Sequence, residues 1–144
     1  MKRILVATDG SDDADRAVDF AAHVSKTQGA ELLIVNVMAA NLPGELFSRM
    51  ANPELAALKE LFATEAANAL KKARDRAQRV GPIPIQIESR TGDVAQTILE
   101  IARERRADMI IVGKRGNGRL AGLLLGSVSQ KLASLAPIPV TIIP

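Results

Sequence analysis

Cysteine, tryptophan and tyrosine are absent from the sequence, and only three of its 144 residues are phenylalanine. Without cysteine, the chain can form neither a disulfide nor a metal site with thiolate ligands. A surface that binds nucleic acid by stacking its bases needs aromatic side chains, which are too scarce here. The net charge of +3 and the pI of about 9.6 indicate only a mildly basic surface. We therefore expect no nucleic acid among the partners.

Long hydrophobic runs are also missing. No run approaches the roughly 18 apolar residues of a membrane-spanning helix, so we expect no membrane partner. Residues 1–7 place two basic residues before a short apolar run, whereas a signal peptide needs a longer apolar region and a cleavage site of small residues. These features predict a cytoplasmic protein. The length and the apolar fraction of 47% predict a single globular domain over residues 1–144.

Apolar runs alternate with helical patterns along the whole chain. This alternation predicts an α/β fold, in which a parallel sheet is covered by helices on both faces. Pro84 favours an edge position for the third strand. The five predicted strands cover residues 3–8, 31–38, 83–90, 108–112 and 138–143.

Four helices are predicted between these strands. The first begins at an N-cap formed by Ser11 or Asp9 and ends at Gly29. The second covers residues 54–80, and the basic side chains of its C-terminal half predict a solvated face. The third runs from Asp93 to about Arg105, and the fourth from near Ser127 to Pro137, with Gln96 and Gln130 in capping-box positions.

The segment from residue 39 to residue 53 has no clear periodicity. A loop of this length is unusual in a compact domain, and Phe47 and Met50 indicate that it docks on something. We therefore expect residues 39–53 to be a lid, a binding segment for a protein partner or a mobile loop.

A glycine-rich loop with fixed positive charge follows the fourth strand. Glycine lets the backbone approach an anion closely, and the exposed N–H groups at the start of the next helix favour negative charge. This combination is typical of a phosphate-binding loop, although it is neither a P-loop nor a good dinucleotide fingerprint. The loop contains Gly113, Lys114, Arg115, Gly116, Gly118, Arg119 and Gly122, and it ends at Gly126 and Ser127.

The spacing Gly113-x2-Gly116-x9-Gly126-Ser127 resembles the motif of the ATP-binding branch of the universal stress protein family. The resemblance runs over the whole chain. It includes Asp9-Gly10-Ser11 after the first strand, residues 108–113, residues 125–129 and the closing segment 139–143. Four matching segments in the right order make the resemblance strong.

The resemblance implies a Rossmann-like open sheet with strand order 3-2-1-4-5, similar to the adenine nucleotide alpha hydrolases. It also implies nucleotide-linked stress regulation with at most weak ATPase activity. An apolar last strand left bare at an edge would favour aggregation, and pairing with a second copy removes that risk. We therefore expect a homodimer through residues 138–143, as is common in the family.

Ligands of open α/β sheets bind where the strand order reverses. For order 3-2-1-4-5 that point lies between the first and fourth strands, which end at Asp9 and Gly113. Phosphates are expected over residues 116–129, and the resemblance implies a base near Ala7 and Val37 and a ribose near Asp9. The candidate nucleotide-binding residues are Ala7, Thr8, Asp9, Val37, Val112, Gly113, Lys114, Arg115, Gly116, Gly126, Ser127, Val128 and Ser129.

Two positions depart from the family pattern. Ala7 stands where ATP-binding members often have proline, and Lys114 stands where they often have serine. A lysine at this point could bind phosphate or fill the site. The pocket shape, though not the fold, therefore depends on Lys114.

No nucleophile and base stand in a catalytic pattern, and no residues have metal-ligand spacing. His23, the single histidine, lies beside the apolar stripe of the first helix and is expected at the surface. Mg²⁺ or Mn²⁺ would be held mainly by the phosphates of ATP, with Asp9 as a possible further ligand. The sequence therefore favours an ATP-binding regulator with slow or no hydrolysis. Its alternatives are a family member that acts only through protein contacts and a weak phosphoryl- or nucleotidyl-transfer enzyme.

Overall fold

The computed structural model of the chain describes residues 1–39, 52–116 and 125–144. Strands and helices alternate through these residues in the predicted order. None of the helices in the described ranges is long and apolar enough to cross a membrane. The elements are β1 Arg3–Ala7, α1 Asp12–Gln28, β2 Glu31–Ala39, α2 Asn52–Gln78, β3 Ile85–Gly92, α3 Val94–Glu104, β4 Met109–Gly113, α4 Ser127–Leu135 and β5 Val140–Ile143.

The third and fifth strands begin two residues later than the sequence pattern predicts. Each is preceded by a proline, Pro84 or Pro139, which has no N–H group to donate to a neighbouring strand. The carbonyls of these prolines do take part, because Pro84 accepts from Leu32 at 2.8 Å and Pro139 accepts from Ile110 at 2.9 Å. The regular ladder therefore starts at the residue after each proline.

The five strands form one parallel sheet in the order β3-β2-β1-β4-β5. This result confirms the expected fold class, strand order and edge position of the third strand. The chain adds strands on one side of β1 and then crosses to its other side for β4. The order therefore reverses between β1 and β4, and the carboxyl ends of these strands border a crevice.

Two apolar cores lie on opposite faces of the sheet. Helices α1 and α2 cover one face, where residues such as Ile4, Ile34 and Leu70 are buried. Helices α3 and α4 cover the other, where Leu5, Ile98 and Leu132 are buried. Because neighbouring residues of each strand serve opposite cores, the central strands are apolar at nearly every position.

The two halves of α2 differ in how closely they pack on the sheet. Leu61 in the N-terminal half is 53% exposed, whereas Ala66, Leu70, Ala73 and Ala77 are buried.

Its C-terminal half is not simply a solvated face. Lys72 pairs with Asp15 of α1 at 2.8 Å, and Arg76 pairs with Asp19 at 2.5 Å. These cations contact α1 because the two helices share one face of the sheet, which a helical pattern alone does not reveal.

Asp108 connects the start of β4 to the start of β1. Its Oδ2 accepts the N–H of Lys2 at 2.7 Å and that of Arg3 at 2.9 Å. The hydrogen bond from Arg3, followed by the one from Lys2, lowers the pKa of the Asp108 carboxyl below its usual value. The ionised carboxylate therefore stabilises the pairing of these two strands at neutral pH.

Asp108→Asn should destabilise the protein in a pH-dependent way. Since the pKa is lowered in the folded state, the contribution of Asp108 is complete above the ordinary aspartate value of about 3.9. It is lost as the pH falls through the lower folded value. Urea unfolding of both proteins should give a difference in free energy that is largest at neutral pH and shrinks below about pH 4. A difference that stays constant down to pH 3 would contradict this role.

Candidate functional site

The ends of β1 and β4 lie side by side at the point of strand reversal. Val6 pairs with Ile111 in the sheet, so Ala7 and Val112 are the next residues along these two strands. Val112 is buried, Ala7 is half-buried, and Asp9 two residues beyond Ala7 is exposed. The structure therefore brings the predicted first-strand and fourth-strand residues to the same crevice.

A network of hydrogen bonds holds the turn between β1 and α1. The side-chain amide of Asn36 in β2 donates to the carbonyl of Thr8 at 2.9 Å. The Thr8 hydroxyl accepts the N–H of Gly10 at 3.1 Å, and Oδ1 of Asp9 accepts the N–H of Ser11 at 3.0 Å. Ser11 is the N-cap of α1, so of the two residues predicted for that role Asp9 is not the cap. The Asp9 carboxylate is thereby oriented without being buried.

The first turn of α1 packs directly on the end of β4 at Gly113. A Cβ at residue 113 would lie 2.8 Å from the carbonyl carbon of Asp13 and 2.9 Å from its Cβ. Real Cβ atoms do not approach backbone so closely. Glycine at this position is therefore required by the packing of α1, independently of any ligand.

Asp13 anchors the start of the glycine loop. Its side chain is almost fully buried, accepts the N–H of Arg115 at 3.1 Å and forms an ion pair with Arg16. Sequence reasoning missed this residue because it resembles its neighbours Asp12 and Asp15, as one of three acids suited to a helix N-terminus. No local signal distinguishes it from them.

Gly116 lies against Asp9. A Cβ at residue 116 would overlap Oδ2 of the Asp9 carboxylate, while Gly116 itself is exposed. The loop therefore approaches the β1–α1 turn through a residue that has no side chain. The predicted loop residues Gly118, Arg119 and Gly122 lie outside the described residues.

The two ends of the loop are joined through Lys114. Its carbonyl accepts the N–H of Gly126 at 2.8 Å and the hydroxyl of Ser129 at 3.0 Å, while its own N–H donates to Ile143 at 2.7 Å. The hydroxyl of Ser129 also lies 2.8 Å from the carbonyl of Gly113, and Ser129 is buried. The hydroxyl of Ser129 thus donates its hydrogen to these backbone carbonyls.

The N-terminus of α4 differs from the predicted capping box. The N-cap is Gly126, which has no side chain to contribute, and Ser127 is the first helical residue. Because Gly126 is the N-cap, Gln130 is the fourth helical residue and not the third, so it completes no capping box and donates its side-chain amide to the carbonyl of Leu125 at 2.9 Å. Ser127 is exposed at this helix start, and the first turn of α4 contains no acid. These features favour an anion at the helix start.

The apolar candidate residues share one face of the sheet. Ala7, Val37 and Val128 are partly buried and pack against the core under α3 and α4, to which Val112 belongs. In contrast, Asp13 and Lys72 belong to the helices that cover the opposite face. The crevice therefore has an apolar side and a charged side.

Among the described residues, no group of three or more histidine, cysteine or acidic side chains could hold a metal ion. His23 is exposed on α1, as its position in the sequence predicts.

Comparisons with known proteins agree over the full length of the chain. The profile of the universal stress protein family matches residues 1–144. Universal stress protein YxiE of Bacillus subtilis is 35% identical, over 98% of this chain and 97% of that protein. The structure of universal stress protein UspA from Lactobacillus plantarum is similar with a TM-score of 0.84 at 26% identity, covering 99% of this chain and 97% of that one. A universal stress protein solved in complex with cAMP has a TM-score of 0.70 at 30% identity, with 99% and 95% covered.

The variants Gly113→Ala and Gly116→Ala should distinguish a glycine that the packing of α1 requires from one that it does not. The first variant forces a Cβ against the backbone of Asp13, so we expect a loss of about 1–3 kcal/mol in the free energy of unfolding. The second meets the end of the Asp9 side chain and not the backbone, so we expect a smaller loss than for Gly113→Ala. Urea denaturation measures both, and equal losses or the reverse order would contradict the assignment.

Proposed function

Since the chain belongs to the universal stress protein family, we propose that it is a cytoplasmic stress-response protein that binds ATP in the crevice between β1 and β4. The observation that carries the proposal is the approach of Gly116 to Asp9, beside a helix start that has no acid and no cap side chain. A nucleotide bound in a similar protein, the one solved with cAMP, supports the same class of ligand.

Each part of an adenine nucleotide matches one part of the crevice. The base lies in the apolar slot lined by Ala7, Val37 and Val112, which is formed by aliphatic side chains. The exposed Asp9 carboxylate accepts the ribose hydroxyls, and its orientation by the Ser11 N–H lowers the entropic cost of that contact. The role of Val128 is to support the slot from α4.

The phosphates lie over the glycine loop and the N-terminus of α4. Gly116 and Gly126 leave room where side chains would otherwise stand, and Ser127 offers an exposed hydroxyl. Lys114 and Arg115 supply positive charge. Because the Ser129 hydroxyl already donates to backbone carbonyls, its role is to hold the loop closed behind the phosphates.

Mg²⁺ or Mn²⁺ fits this site as a companion of the phosphates, which it would neutralise when bound. Asp9 is the exposed carboxylate beside the loop and would be its protein ligand, whereas Asp13 is buried, accepts the N–H of Arg115 and pairs with Arg16. Hydrolysis needs a base or a polar group that positions water. The sequence has no nucleophile and base in a catalytic pattern to supply such groups, so we propose a nucleotide-dependent regulator with slow or no turnover.

We also propose that a second copy of the chain pairs with β5 to form a dimer. The strand lies at an edge of the sheet, and all four of its residues are partly exposed. The carbonyls of Pro139 and Ile143 accept from β4, and backbone groups alternate sides along a strand. The N–H of Ile142 therefore points away from β4, toward the position of an added strand. A protein partner at residues 39–53 remains a separate proposal, and residues 40–51 lie outside the described ranges.

Calorimetric titration with Mg-ATP tests the nucleotide site. Nucleotide-stripped wild-type protein should bind with micromolar affinity, and Gly116→Glu should lose binding because its carboxylate would stand beside Asp9. Asp9→Asn should weaken binding about tenfold through the loss of charge-assisted hydrogen bonds.

Asp12→Asn provides the matched control for Asp9→Asn, since it removes the same charge from an exposed position three residues away. Its affinity should stay within about twofold of wild type. Absence of heat and of a thermal shift at millimolar Mg-ATP would refute the proposed function.

Light scattering at micromolar concentration tests the dimer. Wild-type protein should have twice the 15.3 kDa mass of one chain. Ile142→Pro should reduce the mass to that of one chain, because proline removes an N–H that faces away from β4 and spares the β4 ladder. Ile142→Val keeps that N–H and should remain dimeric. A monomeric wild type, or a dimeric Ile142→Pro, would contradict pairing through β5.

A further inference from the structure

Helix α2 lies over the turn between β1 and α1. A Cβ at Gly10 would be 3.8 Å from Cβ of Ala69, one turn before Lys72 on α2. The ammonium of Lys72 donates to the carbonyl of Gly10 at 3.1 Å. Gly10 has φ of 80°, a left-handed conformation that side chains disfavour. The turn next to Asp9 is therefore held by a residue more than 60 positions away in the chain.

The ammonium of Lys72 is itself held in place by Asp15. The side chain of Asp15 is 11% exposed, and its carboxylate lies 2.8 Å from Nζ of Lys72, whereas the nearest contact from Arg76 is 3.8 Å. An ion pair to a nearly buried carboxylate limits the freedom of a lysine side chain that is otherwise half-exposed. Lys72 therefore reaches Gly10 from a fixed position, not as a free surface cation.

Together with the other contacts, Lys72 completes the support of the turn. Asn36 holds the carbonyl of Thr8, and the side chains of Thr8 and Asp9 hold the N–H groups of Gly10 and Ser11. Helix α2 contributes the hydrogen bond from Lys72 to the carbonyl of Gly10. Loss of that contact frees the peptide that follows Gly10, and with it the N–H that orients Asp9.

We propose that Lys72 is a positioning residue for the nucleotide site, which acts by fixing the Gly10 carbonyl and thereby the orientation of the Asp9 carboxylate. The proposal rests on the proposed function, since it assigns to Asp9 the contact with the ribose. Lys72 itself does not touch the nucleotide. Its effect on binding therefore passes entirely through the turn.

The variant Lys72→Met tests this role, with Lys71→Met as the matched control. Lys71 is the adjacent residue on α2 and is exposed, so its replacement changes the charge equally but leaves the turn intact. We expect Lys72→Met to weaken Mg-ATP binding roughly three- to tenfold, as for the loss of one hydrogen bond, and Lys71→Met to stay within about twofold. Lys72→Arg, which keeps a cation able to donate to both acceptors, should restore most of the affinity.

A double-mutant cycle shows whether Lys72 affects nucleotide affinity through the position of Asp9 or independently of it. If Lys72 acts through Asp9, Lys72→Met should cause no further loss of affinity in an Asp9→Ala background, which has no side-chain oxygen to orient. Amide hydrogen exchange of the nucleotide-free proteins gives a second readout, in which Gly10 and Ser11 should exchange faster in Lys72→Met than in Lys71→Met. Both measurements are made well below the unfolding temperature of each variant.

The outcomes separate the two proposals. Wild-type protein that binds no nucleotide refutes the proposed function. Wild-type binding that Lys72→Met leaves unchanged refutes the role of Lys72 alone, whatever the exchange rates are. Additive losses in the cycle also overturn it, because they show that Lys72 acts independently of Asp9.

Discussion

The close packing of α1 on the end of β4 determines the shape of the crevice. Gly113 permits this contact, because any Cβ at that position would meet the backbone of Asp13. Once the helix is that close, the buried Asp13 carboxylate reaches the N–H of Arg115, and the beginning of the glycine loop is tied to α1. The ion pair with Arg16 balances the charge that this arrangement buries. The position of the loop relative to Asp9 follows from this contact.

The acids at the start of α1 therefore serve different purposes. Asp13 and Asp15 are nearly buried and pair with cations, one inside α1 and one from α2. Asp12 is exposed, in keeping with the general preference for negative charge at a helix N-terminus. The start of α1 therefore repels an anion less strongly than three unpaired carboxylates would. The difference in charge between the starts of α1 and α4 is correspondingly smaller than the sequence implies.

Much of the fold could be predicted from the sequence, because apolar runs and helix caps are read over a few residues and they predicted the alternation of strands and helices. The strand order was implied by the resemblance to the family, and the sheet has that order. The contacts of Asp13, Asn36 and Lys72 could not be predicted in this way, since each joins elements distant in the chain. Only Asn36 had a local signal, as a single amide within an apolar strand. The late starts of β3 and β5 follow from prolines whose carbonyls pair while their nitrogens cannot.

The backbone of Lys114 makes three hydrogen bonds, with Ile143, Gly126 and Ser129, and none of them involves its side chain. These three contacts at the ends of the loop are thus independent of which side chain occupies position 114. Replacement of this cation by a small hydroxyl side chain would change the charge and the volume beside Gly113 while sparing all three backbone contacts. Position 114 can therefore differ between proteins of the same fold without a change in the backbone that surrounds it.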